Sequence, residues 1–382
     1  MSGFVLAQLE RRAVRVSPKT LWVFVRAVDS DGVEGWGEGT LPGTGSDAAL
    51  AAAIARLGRT LTGTRIAAPI DLTAYLVDPG ADDALAIAAA VSAVDQAFWD
   101  IAARRAGKPI AALLGQPAAD AIDLYANINR RTLDRSPEGF AASARTAHGL
   151  GYRAFKIAPF DGVTPGTAES AEGRAGLAAG LARAAAVRAV IGSESRLMID
   201  CHWRLTEATA TEVIARQVSL DLYWLECALP EIPANFAAMR RLRSRAHAAG
   251  LRLAGCETMI GRAGFKPFLE AELYDVVMPD VKYAGGLAEF LRIGALAHAF
   301  GVQCSAHNPS GPVCHAHSLQ VSAVLQGAPF LEHQFDESPL FKDLVAAPPA
   351  DFTAAHVARL PGPGLGITLD PAIMARHAEA SA

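Results

Sequence analysis

Eight short β-rich runs set the strongest limit on what this chain can fold into. They are DLYANIN (123–129), YRAFKIA (152–158), RLMID (196–200), LYWLE (222–226), LRLAGCE (251–257), YDVVMPD (274–280), VQCSAH (302–307) and PFLEH (329–333). Amphipathic or Ala-rich stretches separate them, and 167–190 reads as one such helix. Strands alternating with helices predict a parallel sheet in an α/β protein, and eight units at this spacing predict a closed barrel.

The flanks differ in character. The first 40 residues read as extended chain around a turn, LWVFVRAV, then DSDG, then VEGWGEG. A Gly/Pro-rich stretch (39–46) leads into Ala-rich helix, broken by 58–71 and resuming over 82–106. There Ala90, Val94, Ala97, Phe98 and Ile101 share one apolar face, and Gly107 marks the end. The tail from 340, with LPGPGLGITLD inside it, is too rich in Pro and Gly for another strand–helix unit. It is expected to pack back on the N-terminal part, giving a cap (1–121), a barrel (122–339) and a returning C-terminal segment (340–382).

From the second strand onward each run ends at a residue that can do chemistry: Lys156, Asp200, Glu226, Glu257, Asp280, His307 and Glu332. From Asp200 on they recur about once per strand–helix unit, so they share the C-terminal rim, where barrel active sites are built. Asp200, Glu226 and Glu257 lie on consecutive strands and could meet in one coordination sphere. Three oxygen donors suit Mg²⁺ better than zinc. Positions i and i+2 of a strand share a face, so His202 is expected beside Asp200, while Cys201, Cys227 and Cys256 should turn toward the helix layer. Asp280 and His307, one unit apart, can hydrogen-bond, and the carboxylate would orient the imidazole as a base. Glu332 is a candidate for facing a substrate carboxylate, and Asn127 and Asn129 for contacting hydroxyls. His315 and His317, in CHAHSL, are expected at the surface of a helix rather than as a metal pair.

Other classes are disfavoured. Net charge of −4 with interspersed signs gives no polyanion-binding face, so no nucleic-acid partner is expected. Five cysteines without a CxxC pair argue against a disulfide framework or a structural zinc. PGTG and PGPGLG lack the context of a phosphate loop. No apolar run reads as a membrane helix and the N-terminus does not read as a leader, so no membrane partner and a cytoplasmic location are expected. A homo-oligomer acting on a small carboxylate is the expectation for partners.

With these residues in place, the chain resembles the enolase superfamily, and within it the mandelate racemase-like group of acid-sugar dehydratases. VEGWGEG, AVDQAFWDIAARRAGKPIAALLG and PGPGLGITLD resemble that family's cap, helix and tail; FKIAP, MIDCHWR, WLECALPE, AGCETM, MPDVKYAGGLAE, SAHNPSGPV and FLEHQ follow its barrel order. The resemblance implies a modified (β/α)8 barrel, of (β/α)7β type, with an N-terminal α+β cap. It casts Asp200, Glu226 and Glu257 as Mg²⁺ ligands, Asp280 with His307 as the base dyad, and Glu332 at the substrate carboxylate. Asp200-Cys201-His202-Trp203-Arg204 resembles the galactonate dehydratase pattern in which the His is the general acid, with Arg204 a substrate contact. Two departures stand out. The usual Glu-Glu-Pro is Glu226-Cys227-Ala228, and the racemases' Lys-x-Lys is Lys156-Ile157-Ala158, which removes their second base. The expectation is therefore elimination of water from a sugar acid to a 2-keto-3-deoxy acid. The alternatives are a racemase or epimerase with Lys156 or His202 as second base, a binding-only relative, and a zinc hydrolase. Specificity is expected from cap loops near 16–20 and 39–47.

Overall fold

A computed structural model describes residues 3–18, 20–42, 47–67, 70–115 and 119–378. The cap contains β1 (Phe4–Ser17), β2 (Thr20–Asp29), β3 (Glu34–Glu38), α1 (Ala48–Leu61), β4 (Arg65–Ile66), α2 (Ala84–Ala106) and α3 (Ile110–Leu113). Its four strands form an antiparallel sheet in the order β3-β2-β1-β4. The barrel follows with β5 (Ala121–Asn127), α4 (Pro137–Gly149), β6 (Ala154–Ile157), α5 (Ala171–Ile191), β7 (Arg196–Asp200), α6 (Glu207–Ile214), α7 (Gln217–Leu220) and β8 (Leu222–Glu226). It continues with α8 (Phe236–Ala248), β9 (Arg252–Gly255), α9 (Gly261–Glu270), β10 (Val276–Val277), α10 (Leu287–Ala299), β11 (Gln303–Cys304), α11 (Pro312–Ser322) and β12 (Leu331–Gln334). Last come α12 (Leu340–Asp343), β13 (Val345–Ala346), β14 (His356–Ala358), β15 (Thr368–Leu369) and α13 (Pro371–His377).

The strands β5 to β11 pair in parallel in sequence order. β12 pairs with β5, and a parallel bridge between Ala306 and Leu331 closes the ring. Seven of the eight strands are followed by a barrel helix. After β12 comes only the short α12, so the fold is the expected (β/α)7β barrel with an antiparallel cap. Tyr125, Ala154, Met198, Trp224, Ala254, Val276 and Met278 fill the interior, so the barrel is a packed core with its polar rim at the C-terminal end. In the tail, β14 adds antiparallel to β5, and Gly364 and Leu365 bond to Lys108, Ile110 and Asp100 of the cap.

The helix α2 joins the two parts. Its spacing predicts one apolar face, but the helix is buried all round between cap sheet and barrel. By length and composition it is also the one helix among the described residues that could span a membrane, and 89% of that window is buried inside the fold. The approach to β3 is very close. A Cβ on Gly37 would sit 1.9 Å from the Ala93 carbonyl oxygen, and one on Gly35 would sit 2.1 Å from that of Ala97. Glycine at alternate strand positions is what lets the helix backbone lie against the sheet. As expected, Gly107 ends α2 in the left-handed region (φ 63°).

Polar side chains of α2 then reach the barrel rim. Asp95 accepts from the Leu287 amide at 2.7 Å, Ser92 Oγ from the Gly285 amide at 3.0 Å, and Gln96 donates to the Val281 carbonyl at 3.0 Å. From β3, the buried Glu38 accepts from the Gly311 and Cys314 amides at 2.7 and 2.9 Å, capping α11. The loops that follow Asp280 and His307 are thus held from the cap.

The surface assignment for His315 and His317 is corrected: both are fully buried on α11. His315 donates from Nε2 to the Phe352 carbonyl (3.0 Å) and accepts at Nδ1 from Asn308 (3.0 Å), while His317 donates from Nε2 to the Trp36 carbonyl (2.9 Å). Paired backbone carbonyls made these positions inward, which helical spacing alone does not show. Burial pushes both rings down to about 4. The unfolded chain therefore binds more protons below pH 6.5, and stability is lost as pH falls from there through about 4. Each ring costs about 1.4 kcal/mol per pH unit across that window. His315→Gln should reduce the slope of the denaturation midpoint against pH between 6.5 and 4; an unchanged slope would show that this ring does not drive acid unfolding.

Candidate active site

The rim gathers carboxylates around very little positive charge. Lys156, at the end of β6, crosses the barrel interior and places Nζ 2.7 Å from Glu226 Oε1 and 2.8 Å from Glu332 Oε1. All three side chains are nearly or fully buried. Burial would neutralise the lysine, but the two carboxylates outweigh it and raise its pKa well above the ordinary value. Glu332 also accepts from Asn127 Nδ2 (2.7 Å) and the Asn308 amide (2.9 Å). Burial raises its carboxyl, yet Lys156, the His307 ring and the Asn308 amide hold it down at about 2. It is an ionised, fully hydrogen-bonded group rather than a protonated one.

The dyad of Asp280 and His307 is formed, with His307 Nδ1 2.8 Å from Asp280 Oδ2. A carboxylate only accepts, so Nδ1 carries the hydrogen and Nε2 is the basic nitrogen. Nε2 lies 3.5 Å from Glu257 Oε2 and 3.9 Å from Glu332 Oε2. The same Asp280 oxygen accepts from Lys282 Nζ at 2.6 Å, and Lys282 also touches Ser310 Oγ. Burial, the largest influence, keeps the His307 pKa below the ordinary value.

His202 behaves oppositely. Its Nε2 is 2.7 Å from Asp200 Oδ2 and its amide donates to Asp200 Oδ1 at 2.8 Å. The Asp200 charge outweighs burial and raises the His202 pKa. This contact does not arise from strand alternation, because β7 ends at Asp200. His202 and Trp203 both adopt left-handed backbone (φ 47° and 58°), a strained turn that folds the imidazole back over the carboxylate.

The three expected metal ligands are engaged differently. Asp200 and Glu257 each offer an oxygen, and with Cys227 Sγ these atoms lie within 4.8 Å of one another. Glu226 does not join them. Its Oε1 takes the Lys156 ammonium, and its Oε2 accepts from the Trp224 indole at 2.9 Å. The expectation that Cys227 faces the helix layer is likewise corrected, whereas Cys201 and Cys256 do pack in the main core. The donors nevertheless fit a divalent cation. Glu257 Oε2 is buried without a hydrogen-bond partner, while among the described residues Lys156 pairs with Glu226 and Glu332 and Lys282 with Asp280. Burial, with Asp200 and Glu226 adding to it, drives the Glu257 pKa well up, a cost that a cation at this point removes.

The expected substrate contacts are mostly engaged with the protein. Asn127 donates to Glu332, the Asn129 amide donates to Asn127, and Arg204 Nη1 donates to the Phe160 carbonyl at 2.7 Å. Sequence reasoning missed Lys282, Asn308 and Trp224. The "DVK" after the sixth strand was the one available signal, a lysine two residues from a dyad aspartate. Of the expected specificity loops, residues 19 and 43–46 lie outside the described residues. Thr20 is bonded to Glu337 across the cap–barrel boundary at 2.6 Å.

A barrel rim with this acid cluster and dyad, under an antiparallel cap, is the architecture of one large enzyme class, and the family comparisons agree. A model of the enolase C-terminal domain-like family matches residues 139–373, and one of the mandelate racemase / muconate lactonizing enzyme N-terminal domain matches residues 7–115. The chain belongs to the enolase superfamily, in the mandelate racemase / muconate lactonizing enzyme group. It is 32% identical to a D-gluconate dehydratase of Thermoproteus tenax over 76% of this chain and 56% of that protein, so it spans little more than half of that relative's length. It is 29% identical to a D-galactonate dehydratase of Variovorax paradoxus over 93% of this chain and 90% of that protein. A solved mandelate racemase/muconate lactonizing enzyme from Jannaschia sp. CCS1 superposes with a TM-score of 0.84 at 25% identity, covering 99% of this chain and 98% of that one.

Proposed function

We propose that the protein dehydrates a sugar acid, an aldonate or aldarate, to a 2-keto-3-deoxy acid, with a divalent cation as cofactor. The observation that carries this reading is the pair of imidazoles on one rim, each set by its own aspartate: His307 is fixed through Nδ1 by Asp280 so that Nε2 is its free, basic nitrogen, and His202 is folded back over Asp200 by a left-handed turn. Two such rings can serve as a base and an acid. The named relatives, dehydratases of gluconate and galactonate, support the same substrate class.

In this reading Asp200 and Glu257 hold the cation, and oxygen donors of this kind favour Mg²⁺. Bound there, the cation supplies positive charge beside the substrate carboxylate and lowers the cost of removing the α-proton. His307 Nε2 takes that proton, its ring fixed by Asp280 through Nδ1. His202 delivers a proton to the departing β-hydroxyl, and the enol product tautomerises to the keto acid. Lys156, pinned between Glu226 and Glu332, fixes the charge balance at the carboxylate end. Ala158, in place of a second lysine, leaves no amine for the opposite face of the α-carbon, which favours elimination over racemisation.

The test is a screen of aldonic and aldaric acids with a colorimetric readout for the keto-deoxy product. One or more of these acids should yield keto acid. Formation of a stereoisomer without keto acid would replace this reading with an epimerase.

A further inference from the structure

The N-terminal mouth of the barrel lies at the opposite end from the acid cluster, since Arg196 opens β7 and Asp200 closes it. Tyr223 is the second residue of β8 and Arg252 the first of β9, so three neighbouring strands bring these side chains to one place. Arg196 and Arg252 each stand two residues before a residue of the barrel interior, Met198 and Ala254, and alternation turns both away from the helix layer. Their guanidinium carbons lie 4.3 and 4.6 Å from the centre of the Tyr223 ring. Stacking holds a guanidinium plane in place and leaves its N–H donors unused. Among the described residues, neither guanidinium has a carboxylate or a hydrogen-bond acceptor as partner. Arg188 at the same end behaves differently, giving its donors to the carbonyls of Leu220, Ser195 and Asp221.

We propose that this mouth binds a phosphate group, carried by a small phosphomonoester or present as the free ion, with Arg196 and Arg252 as its cations. The site is separate from the dehydration reading and uses none of its residues. Charge is the first support. Two cations that share one ring repel each other, and a dianion between them removes that cost. A guanidinium fork matches phosphate oxygens in pairs, and a fork already held in place loses little freedom on binding. Space is the second. A cavity of about 370 Å³ is lined by both arginines, Tyr223 and Ser195, within the roughly 300–1,000 Å³ usual for small-molecule sites. The third is Ser195 itself. It is 3% exposed, and its Oγ is buried without a hydrogen-bond partner. Buried hydroxyls are ordinarily paired, so this one is a donor for a ligand oxygen.

Two acids stand in the same wall, Glu194 and Asp221. Arg188 Nη2 offsets Asp221 at 4.0 Å, so the balance around the cavity stays positive. Glu194 is an acceptor without a role toward phosphate, and it suits the hydroxyls of a sugar attached to one. That favours the ester over the free ion.

The experiment is calorimetric titration of the full chain, at fixed ionic strength, with glucose 6-phosphate, inorganic phosphate and glucose. Glucose 6-phosphate should bind and glucose should not. Weaker binding of inorganic phosphate assigns the ester as the source, and tighter binding assigns the free ion. Arg196→Gln and Arg252→Gln should each weaken the phosphate probe by about tenfold or more, and Ser195→Ala, which leaves both cations in place, by about threefold. Arg145→Gln, a change at an exposed arginine of α4, should leave binding as it is. Denaturation midpoints show that each variant folds, and the probe should raise them only where it binds. Absence of binding by both phosphate probes overturns the site, as does an affinity for glucose 6-phosphate that survives both arginine changes together. Either result leaves the dehydration reading standing.

Discussion

His307→Asn is expected to abolish both keto-acid formation and exchange of the substrate α-proton in D₂O, whereas His202→Asn should abolish turnover and retain exchange. The two imidazoles sit on different aspartates, and each loss removes one proton transfer. General acid–base groups contribute roughly 10²–10⁴-fold, so each variant should fall at least that far in turnover. The split in exchange is the decisive part. Proton abstraction needs Nε2 of His307, which Asp280 leaves basic by binding Nδ1. Departure of the hydroxyl needs a proton from the His202 ring, which lies over Asp200. Proton magnetic resonance of the substrate in D₂O reads exchange apart from product. Loss of exchange in both variants to the same degree would contradict the assignment of base and acid.

The second large effect is on stability. Lys156→Met should destabilise the protein by about 3–5 kcal/mol, the usual result of removing one partner from a buried ion pair and leaving the other charged. Glu226 and Glu332 approach the same ammonium from strands on different sides of the barrel, and neither carboxylate is exposed. Glu332 retains the Asn127 and Asn308 donors, while Glu226 retains only the Trp224 indole. Adding Glu226→Gln to the Lys156→Met background should therefore recover part of the loss. Chemical denaturation with midpoint and slope measured for each variant decides the matter. A loss below about 1 kcal/mol would mean that the lysine is not the counter-ion of both acids.

Much of this could be read from the chain because the physics of a barrel is periodic. One polar residue per strand–helix unit, with apolar residues before it, leaves few arrangements other than a ring of strand ends, and β7 and β8 end at Asp200 and Glu226 as read. The strands β9, β10 and β11 are shorter than the apolar runs suggest. Val276–Val277 alone pair as β10, since the loops that carry Glu257, Asp280 and His307 leave the sheet early to reach the rim. The misreadings share a cause. Period-two reasoning holds only while the backbone stays extended, and it lapses at Cys227 and Cys256, each with positive φ one residue past its strand, so that the Cys227 sulfur lies near Asp200 and Glu257 while Cys256 still packs in the core. His202 reached Asp200 through such a turn rather than by facing the same side of a strand. Asn308 escaped notice because its partner Glu332 is 24 residues away, and Lys282 because, beyond its neighbour Asp280, its reach to Ser310 spans 28 residues.

The polar stripe of α2 has a consequence for how such a protein can change over time. Ser92, Asp95 and Gln96 fasten the segment that carries the dyad aspartate and its lysine, while Glu38 fastens the helix behind the dyad histidine. The lobe that would choose a ligand is therefore also the clamp for the chemistry. Its outer loops are free to diverge and retune recognition, but the clamp itself cannot be exchanged or excised without loosening the proton-transfer machinery beneath it.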